Sequence, residues 1–192
     1  MTTNDSVLRT APKILVVCQA NQARSPLAAA LLAEEAEDYG LEVPKRFPSA
    51  GTEAEPGNLA LPSMIKAANK LGIDLTSHRS RPISPTMVER SDMIVTMTEE
   101  QRARVSRMGP QAITRTFTLR ELVRLGEALG EFSSPLNQRA TELHRMRSRV
   151  VGANGAEDVE DPSGRDGHTI DKIAREIKRL IGRAAPALFD EG

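Results

Sequence analysis

A chain of 192 residues is long enough to bury one hydrophobic core, and length alone argues against a second independent domain. Lys plus Arg and Asp plus Glu both number 26, so no global field draws the protein to nucleic acid or to an anionic membrane. The aromatic share of 3% argues against the ring platforms that single-stranded nucleic acids need, and one cysteine with three histidines makes neither a disulfide nor a zinc-ligand pattern.

The N-terminal stretch MTTNDSVLRTAPK is polar and charged where a signal peptide is apolar, and no run approaches a membrane span, so a cytoplasmic protein with no membrane partner is expected. Residues 1–12 read as a flexible leader. Lys13 to Cys18, KILVVC, is a continuous apolar run of the kind found in a parallel strand buried on both faces. Ser25 and Pro26 then read as an N-cap and first-turn pair, opening a helix through Leu27 to Ala36. A short strand is expected near Phe47 to Ser49, and a helix from about Pro62 to Leu71, stopped by Gly72. Asp92 to Met97 reads as another buried strand and Glu99 to Met108 as a helix. Ala112 to Phe117 reads as an edge strand. Leu119 to Leu129 is helical by the spacing of Leu119, Leu122, Val123 and Leu125.

From Gly130 to Glu160 the pattern weakens into an insertion, with a helix from Asn137 to Val151. Its Arg139, Arg145, Arg147 and Arg149 fit a solvated helix better than a docking surface. Ile170, Ile173, Ile177, Leu180 and Ile181 form a last helical stripe, and residues 182–192 read as a frayed tail. The alternation of strands and helices implies an open parallel sheet covered by helices across residues 13–181.

The chemistry concentrates in the loop Cys18-Gln19-Ala20-Asn21-Gln22-Ala23-Arg24-Ser25, at the carboxyl end of the first strand, where open α/β sheets bind ligands. Small and polar loop residues leading into a helix can aim several N–H groups at one anion, and the helix dipole adds to the attraction. Cysteines in such surroundings ionise more readily than free thiols, which suits Cys18 to nucleophilic attack. Arg24, six positions on, can return its planar fork to two oxygens of a transferring phosphoryl group. Ser25 can donate to the departing thiolate or cap the helix. A lone cysteine at a strand end is ordinarily just a buried one; the Arg spacing, the Ser-Pro start and the apolar strand reverse that expectation.

The stretch VCQANQARSP, the segment Ser49 to Thr52 (SAGT), the segment Gly72 to Arg81 (GIDLTSHRSR) and the late Asp161-Pro162 together resemble the low-molecular-weight protein-tyrosine-phosphatase family. The resemblance covers about Lys13 to Phe117 and Glu160 to Ile181. It implies a four-stranded parallel sheet of flavodoxin-like order 2-1-3-4 and a phosphatase that needs no metal or other cofactor. It also implies that Cys18 forms a phosphocysteine, that Arg24 holds the phosphoryl oxygens, and that Asp161 protonates the leaving group and then deprotonates water. Asn21, Ser49 and His78 match the family's network that holds the loop. The partner is a phosphorylated protein or a small phosphomonoester.

The sequence departs from that family at the cleft walls. Positions that usually carry apolar or aromatic side chains look like Glu55, Gln22 and Ser163 with Gly164, and Ala23 replaces a second loop cysteine. Weak discrimination in favour of phosphotyrosine is therefore expected. Arsenate reduction with a small-molecule thiol stands as an alternative, since one cysteine excludes only the version that shuttles a disulfide. A phosphocarrier or a phosphate-binding module is disfavoured by the presence of both Arg24 and Asp161.

Overall fold

The computed structural model describes residues 12–44, 46–130, 132, 134–150 and 157–190. Most of the expected leader, parts of the insertion and the last two residues lie outside them. The elements run β1 (Ile14–Cys18), α1 (Arg24–Asp38), β2 (Ser49–Gly51), α2 (Pro62–Asn69), α3 (Pro85–Glu89), β3 (Met93–Thr96), α4 (Glu99–Val105), α5 (Ala112–Arg115), β4 (Thr116–Thr118), α6 (Leu119–Leu129), α7 (Leu136–Met146) and α8 (Gly167–Phe189). The four strands form one parallel sheet in the order β2-β1-β3-β4, as expected.

Successive strand residues point to opposite faces, so β1 divides its five buried side chains between two layers. Ile14, Val16 and Cys18 join the larger core with α1, α2, α6 and α8, while Leu15 and Val17 join the smaller one with Val88, Val105 and Ala112. Each fully buried aliphatic side chain contributes roughly 1.5–3 kcal/mol, and this two-sided burial fixes β1 at the centre of the sheet. The loop after Cys18 therefore starts from a strand buried on both faces.

Several boundaries differ from the sequence expectation. The second strand is Ser49–Gly51 rather than Phe47 to Ser49. The expected strand from Ala112 splits into a single helical turn and the short β4, because the Thr116 hydroxyl donates back to the Ala112 carbonyl (2.6 Å) and Arg115 donates to the Ser91 carbonyl (2.8 Å). The short α3, which the sequence reading missed, is capped by the Ser84 hydroxyl accepting from the Met87 amide. By contrast, α6 begins and ends where its periodicity predicts, behind a Thr118–Glu121 capping box.

The tail expected to fray from Gly182 instead continues α8 to Phe189, with Ala184, Ala185, Ala187, Leu188 and Phe189 buried. Arg139 of α7 holds this end. It donates to the carbonyls of Ala187 (3.0 Å), Ser134 (2.8 Å) and Asp190 (2.5 Å), and its guanidinium lies 4.8 Å from the Phe132 ring centre. Phe189 packs on Phe47 and Tyr39. Arg147, bonded to Glu121 and 4.5 Å from the Phe117 ring centre, is turned inward like Arg139 rather than solvated.

Candidate active site

β1 ends at Cys18, and its parallel neighbour β2 aligns Gly51 with it. The loop that follows is tied to β2's exit by two main-chain bonds, Thr52 N–H to the Cys18 carbonyl and Glu53 N–H to the Gln19 carbonyl, both 2.9 Å. Leu61 N–H holds the far side through the Gln22 carbonyl at 2.8 Å. The backbone N–H groups of Gln19 to Ala23 donate to no main-chain carbonyl among the described residues, which leaves them available to an anion.

Asn21 makes that curvature possible. It is the one non-glycine residue with positive φ (54°) among the described residues, a conformation that costs about 1–2 kcal/mol for most side chains and least for Asn. Its side-chain amide and its carbonyl are all engaged. Nδ2 donates to Ser25 Oγ (2.9 Å) and Ser49 Oγ (3.0 Å), Oδ1 accepts from the Arg81 amide (3.0 Å), and the carbonyl accepts from His78 Nε2 (2.7 Å). The supporting trio expected from sequence, Asn21, Ser49 and His78, is therefore brought together. Burial pushes the His78 imidazole below the ordinary histidine range, with Arg46, Arg81 and Arg79 acting the same way against the Asn21 carbonyl. Both effects favour the neutral imidazole, whose Nε2 donates to the loop.

Ser25 does not cap α1, contrary to the sequence expectation. The N-cap position is Ala23, without a side-chain bond, and Ser25 lies inside the first turn with Oγ 3.0 Å from Cys18 Sγ. Ser25 already accepts from Asn21, and the one other acceptor it meets among the described residues, the Ala50 carbonyl, is 3.4 Å away. Its single proton is best used on the sulfur, where it stabilises a thiolate.

Arg24 is 4% exposed in the same turn. Its Nη1 donates to the Val159 carbonyl (3.0 Å) and its Nη2 pairs with Asp161 Oδ2. The Val159 amide in turn bonds the Met97 carbonyl (2.8 Å), so the acid loop is pinned at the exit of β3. Asp161, 40% exposed, accepts from the Ser163 amide (2.9 Å). Burial acts to raise its pKa, but the Ser163 hydrogen bonds with the Arg24 and Arg165 charges outweigh it and hold the carboxyl below the ordinary range. Guanidinium and carboxyl thus meet although Asp161 lies 137 residues from Arg24.

The sequence profile of the family described as "Low molecular weight phosphotyrosine protein phosphatase" matches residues 13–153. The chain belongs to that family. Among its relatives is a Bacillus subtilis protein named "Protein-arginine-phosphatase", 32% identical over 143 residues that cover 72% of this chain and 93% of the relative. Another, a probable low molecular weight protein-tyrosine-phosphatase EpsP from Ralstonia solanacearum, is 35% identical over 57% of this chain and 71% of its own. The crystal structure of a YwlE mutant from Bacillus subtilis superposes with a TM-score of 0.68 at 27% identity, covering 91% of this chain and 97% of that one. As a member of this family the protein is a cysteine-dependent phosphatase. The matched segment ends before Asp161, whose place at the site comes from the fold alone.

Three residues that no role was read for in the sequence now have one. Arg81 braces the network through its amide and through Nε to the Ser49 carbonyl (2.7 Å). Gly51 admits the loop, since a Cβ there would lie 2.3 Å from the Gln19 carbonyl oxygen. Its place in SAGT was the available signal. Glu53 is bonded to the loop, accepting from Gln19 Nε2 at 2.7 Å, and the main-chain carbonyl of Glu55 accepts from the Ser80 hydroxyl. Among the described residues no cluster of metal-ligating side chains forms, and no helix is long and apolar enough to cross a membrane.

Proposed function

We infer that the chain removes phosphoryl groups from protein side chains through a phosphocysteine at Cys18, and that it prefers phosphoarginine to phosphotyrosine. Cys18 Sγ attacks phosphorus while the bond to the leaving group breaks, and Asp161 gives that group its proton. Asp161 then takes a proton from water, the water oxygen bonds phosphorus, and the sulfur departs as a thiolate received by Ser25. Arg24 and the loop amides hold the equatorial oxygens throughout. An incoming phosphoryl dianion competes with Asp161 for Arg24. Losing that cation and gaining an anionic neighbour raises the carboxyl's pKa, so binding itself favours the protonated form that an acid needs.

The preference for phosphoarginine rests on one observation: every aromatic ring of the chain is engaged away from the site. The sequence holds four Phe, one Tyr and no Trp. Tyr39, Phe47 and Phe189 pack together, Phe117 lies under Arg147, and Phe132 lies under Arg139. A phenyl phosphate meets no ring face, and each missing aromatic contact forgoes roughly 0.5–1.5 kcal/mol. The residues left at the walls, a half-buried Gln22 and an exposed Ser163, suit a polar side chain. The name of the Bacillus subtilis relative is in keeping with this.

The test compares kcat/KM on peptides of one sequence carrying phosphoarginine, phosphotyrosine or phosphoserine, with the wild type and Cys18→Ser. Phosphoarginine should be turned over fastest, and Cys18→Ser should turn over none. A phosphotyrosine preference of tenfold or more would overturn the specificity; retained turnover in Cys18→Ser would overturn the cysteine mechanism.

A further inference from the structure

Glu53 and Arg104 stand on opposite sides of the nucleophile's strand. Glu53 follows β2 by two residues, Arg104 belongs to α4 just after β3, and β1 runs between those two strands. Their ion pair, Arg104 Nη1 to Glu53 Oε1 at 2.5 Å, therefore crosses the carboxyl end of β1, where Cys18 and Gln19 lie. Gln19 Nε2 holds the other carboxylate oxygen at 2.7 Å, and the Glu53 amide is fixed to the Gln19 carbonyl at 2.9 Å. The carboxylate is thus held in place beside the loop from three directions.

Two properties make this more than a surface ion pair. Each carboxylate oxygen accepts two hydrogen bonds, so after Gln19 and Arg104 are served Glu53 retains acceptor capacity, and at 47% exposure that capacity faces solvent. The second is its placement relative to Asp161. Asp161 is pinned to the β3 side of β1 through Val159 and Met97, and Glu53 is pinned to the β2 side. A phosphoryl group that enters the loop brings its side chain to a site with one carboxylate bonded to the loop at Gln19 and another bonded to Arg24. That arrangement suits a leaving group that departs as a cation and offers nothing to a phenol.

Resting on the phosphoarginine reading above, we propose that Glu53 is a specificity-determining residue that accepts hydrogen bonds from the substrate's guanidino group. In the first chemical step the sulfur–phosphorus bond forms as the phosphorus–nitrogen bond breaks, and the nitrogen takes the Asp161 proton. The product is a guanidinium cation beside the Glu53 carboxylate. Hydrogen bonds from Gln19 and Arg104, outweighing slight desolvation, keep Glu53 ionised below the ordinary carboxylate range. Arg104 holds the carboxylate and also partly neutralises it, so the two residues act on the cation in opposite directions.

The full chain is assayed as wild type, Glu53→Gln and Arg104→Gln on matched phosphoarginine and phosphotyrosine peptides. In Glu53→Gln the phosphoarginine to phosphotyrosine ratio of kcat/KM should fall about tenfold, the size of one charge-assisted hydrogen bond. In Arg104→Gln the same ratio should rise, which gives a second reading if the first variant folds poorly. If the wild type prefers phosphoarginine yet neither substitution moves the ratio, Glu53 is not the determinant and the substrate reading stands. If the wild type does not hydrolyse phosphoarginine, the substrate reading and this inference both fall.

Discussion

Replacing Gly51 by Ala tests whether the loop after Cys18 is held by close main-chain packing. The added Cβ would lie 2.3 Å from the Gln19 carbonyl oxygen, 2.8 Å from Ala54 Cβ and 2.9 Å from the Asn21 amide nitrogen. Ordinary contact begins at 3.4 Å, so the worst approach is about 1.1 Å too close. Gly51 cannot retreat, because its amide donates to the Arg81 carbonyl and its carbonyl accepts from Ile83, both at 2.9 Å. The loop must move instead, and the atoms that move are neighbours of Cys18. Overpacking of this kind costs about 1–3 kcal/mol of stability. A misplacement of about 1 Å at a reacting centre costs on the order of a hundredfold in rate. Urea denaturation should report the first loss, and kcat/KM on p-nitrophenyl phosphate, measured well below the melting temperature, the second. Gly126→Ala is the control: its Cβ would meet Ala187 Cβ at 2.9 Å between α6 and α8, away from the loop, so it should affect stability without the hundredfold loss of rate. If Gly51→Ala keeps kcat/KM within threefold of wild type, the loop tolerates the shift and its geometry is not fixed by this contact.

Asp161→Asn should reduce turnover of an alkyl phosphate far more than that of an aryl phosphate with a very good leaving group; equal losses would remove Asp161 from the acid role. His78 supplies a pH signature. Its folded pKa lies below the unfolded 6.5, so its contribution to stability is complete above about pH 6.5 and is lost as pH falls through the depressed folded value. His78→Gln should flatten the urea midpoint against pH below about 6.5, and an unchanged slope would show that another group titrates there. Arg139→Met should cost about 2–4 kcal/mol, since it strips the donors from the carbonyls of Ser134, Ala187 and Asp190, while the loop chemistry continues. A urea midpoint equal to wild type would show that the α8 end holds without the clamp.

The amino-acid sequence alone determined what depends on local pattern. The apolar run before Cys18 marks a doubly buried strand, and Leu119 to Leu129 carries both its period and its Thr118–Glu121 box within one window. The Cys18 to Arg24 spacing is likewise local, because one short loop positions both residues. The tertiary structure decided everything that joins distant segments. Ser25 reads as an N-cap by its neighbours, but the strand end beside it offers a sulfur, and the hydroxyl is used there instead. The Ala-rich stretch after Gly182 has no signal strong enough to extend a helix past a Pro, yet Arg139 and the rings of Phe47 and Tyr39 hold it in place. Glu53 meets the loop because β2 ends at Gly51, a boundary that three residues of strand cannot announce. Asp161 reaches Arg24 through the bond of Val159 to the end of β3. Periodicity and capping are encoded in neighbouring residues, whereas a pairing across 137 positions exists only after the sheet has set the order in which its strand ends stand side by side.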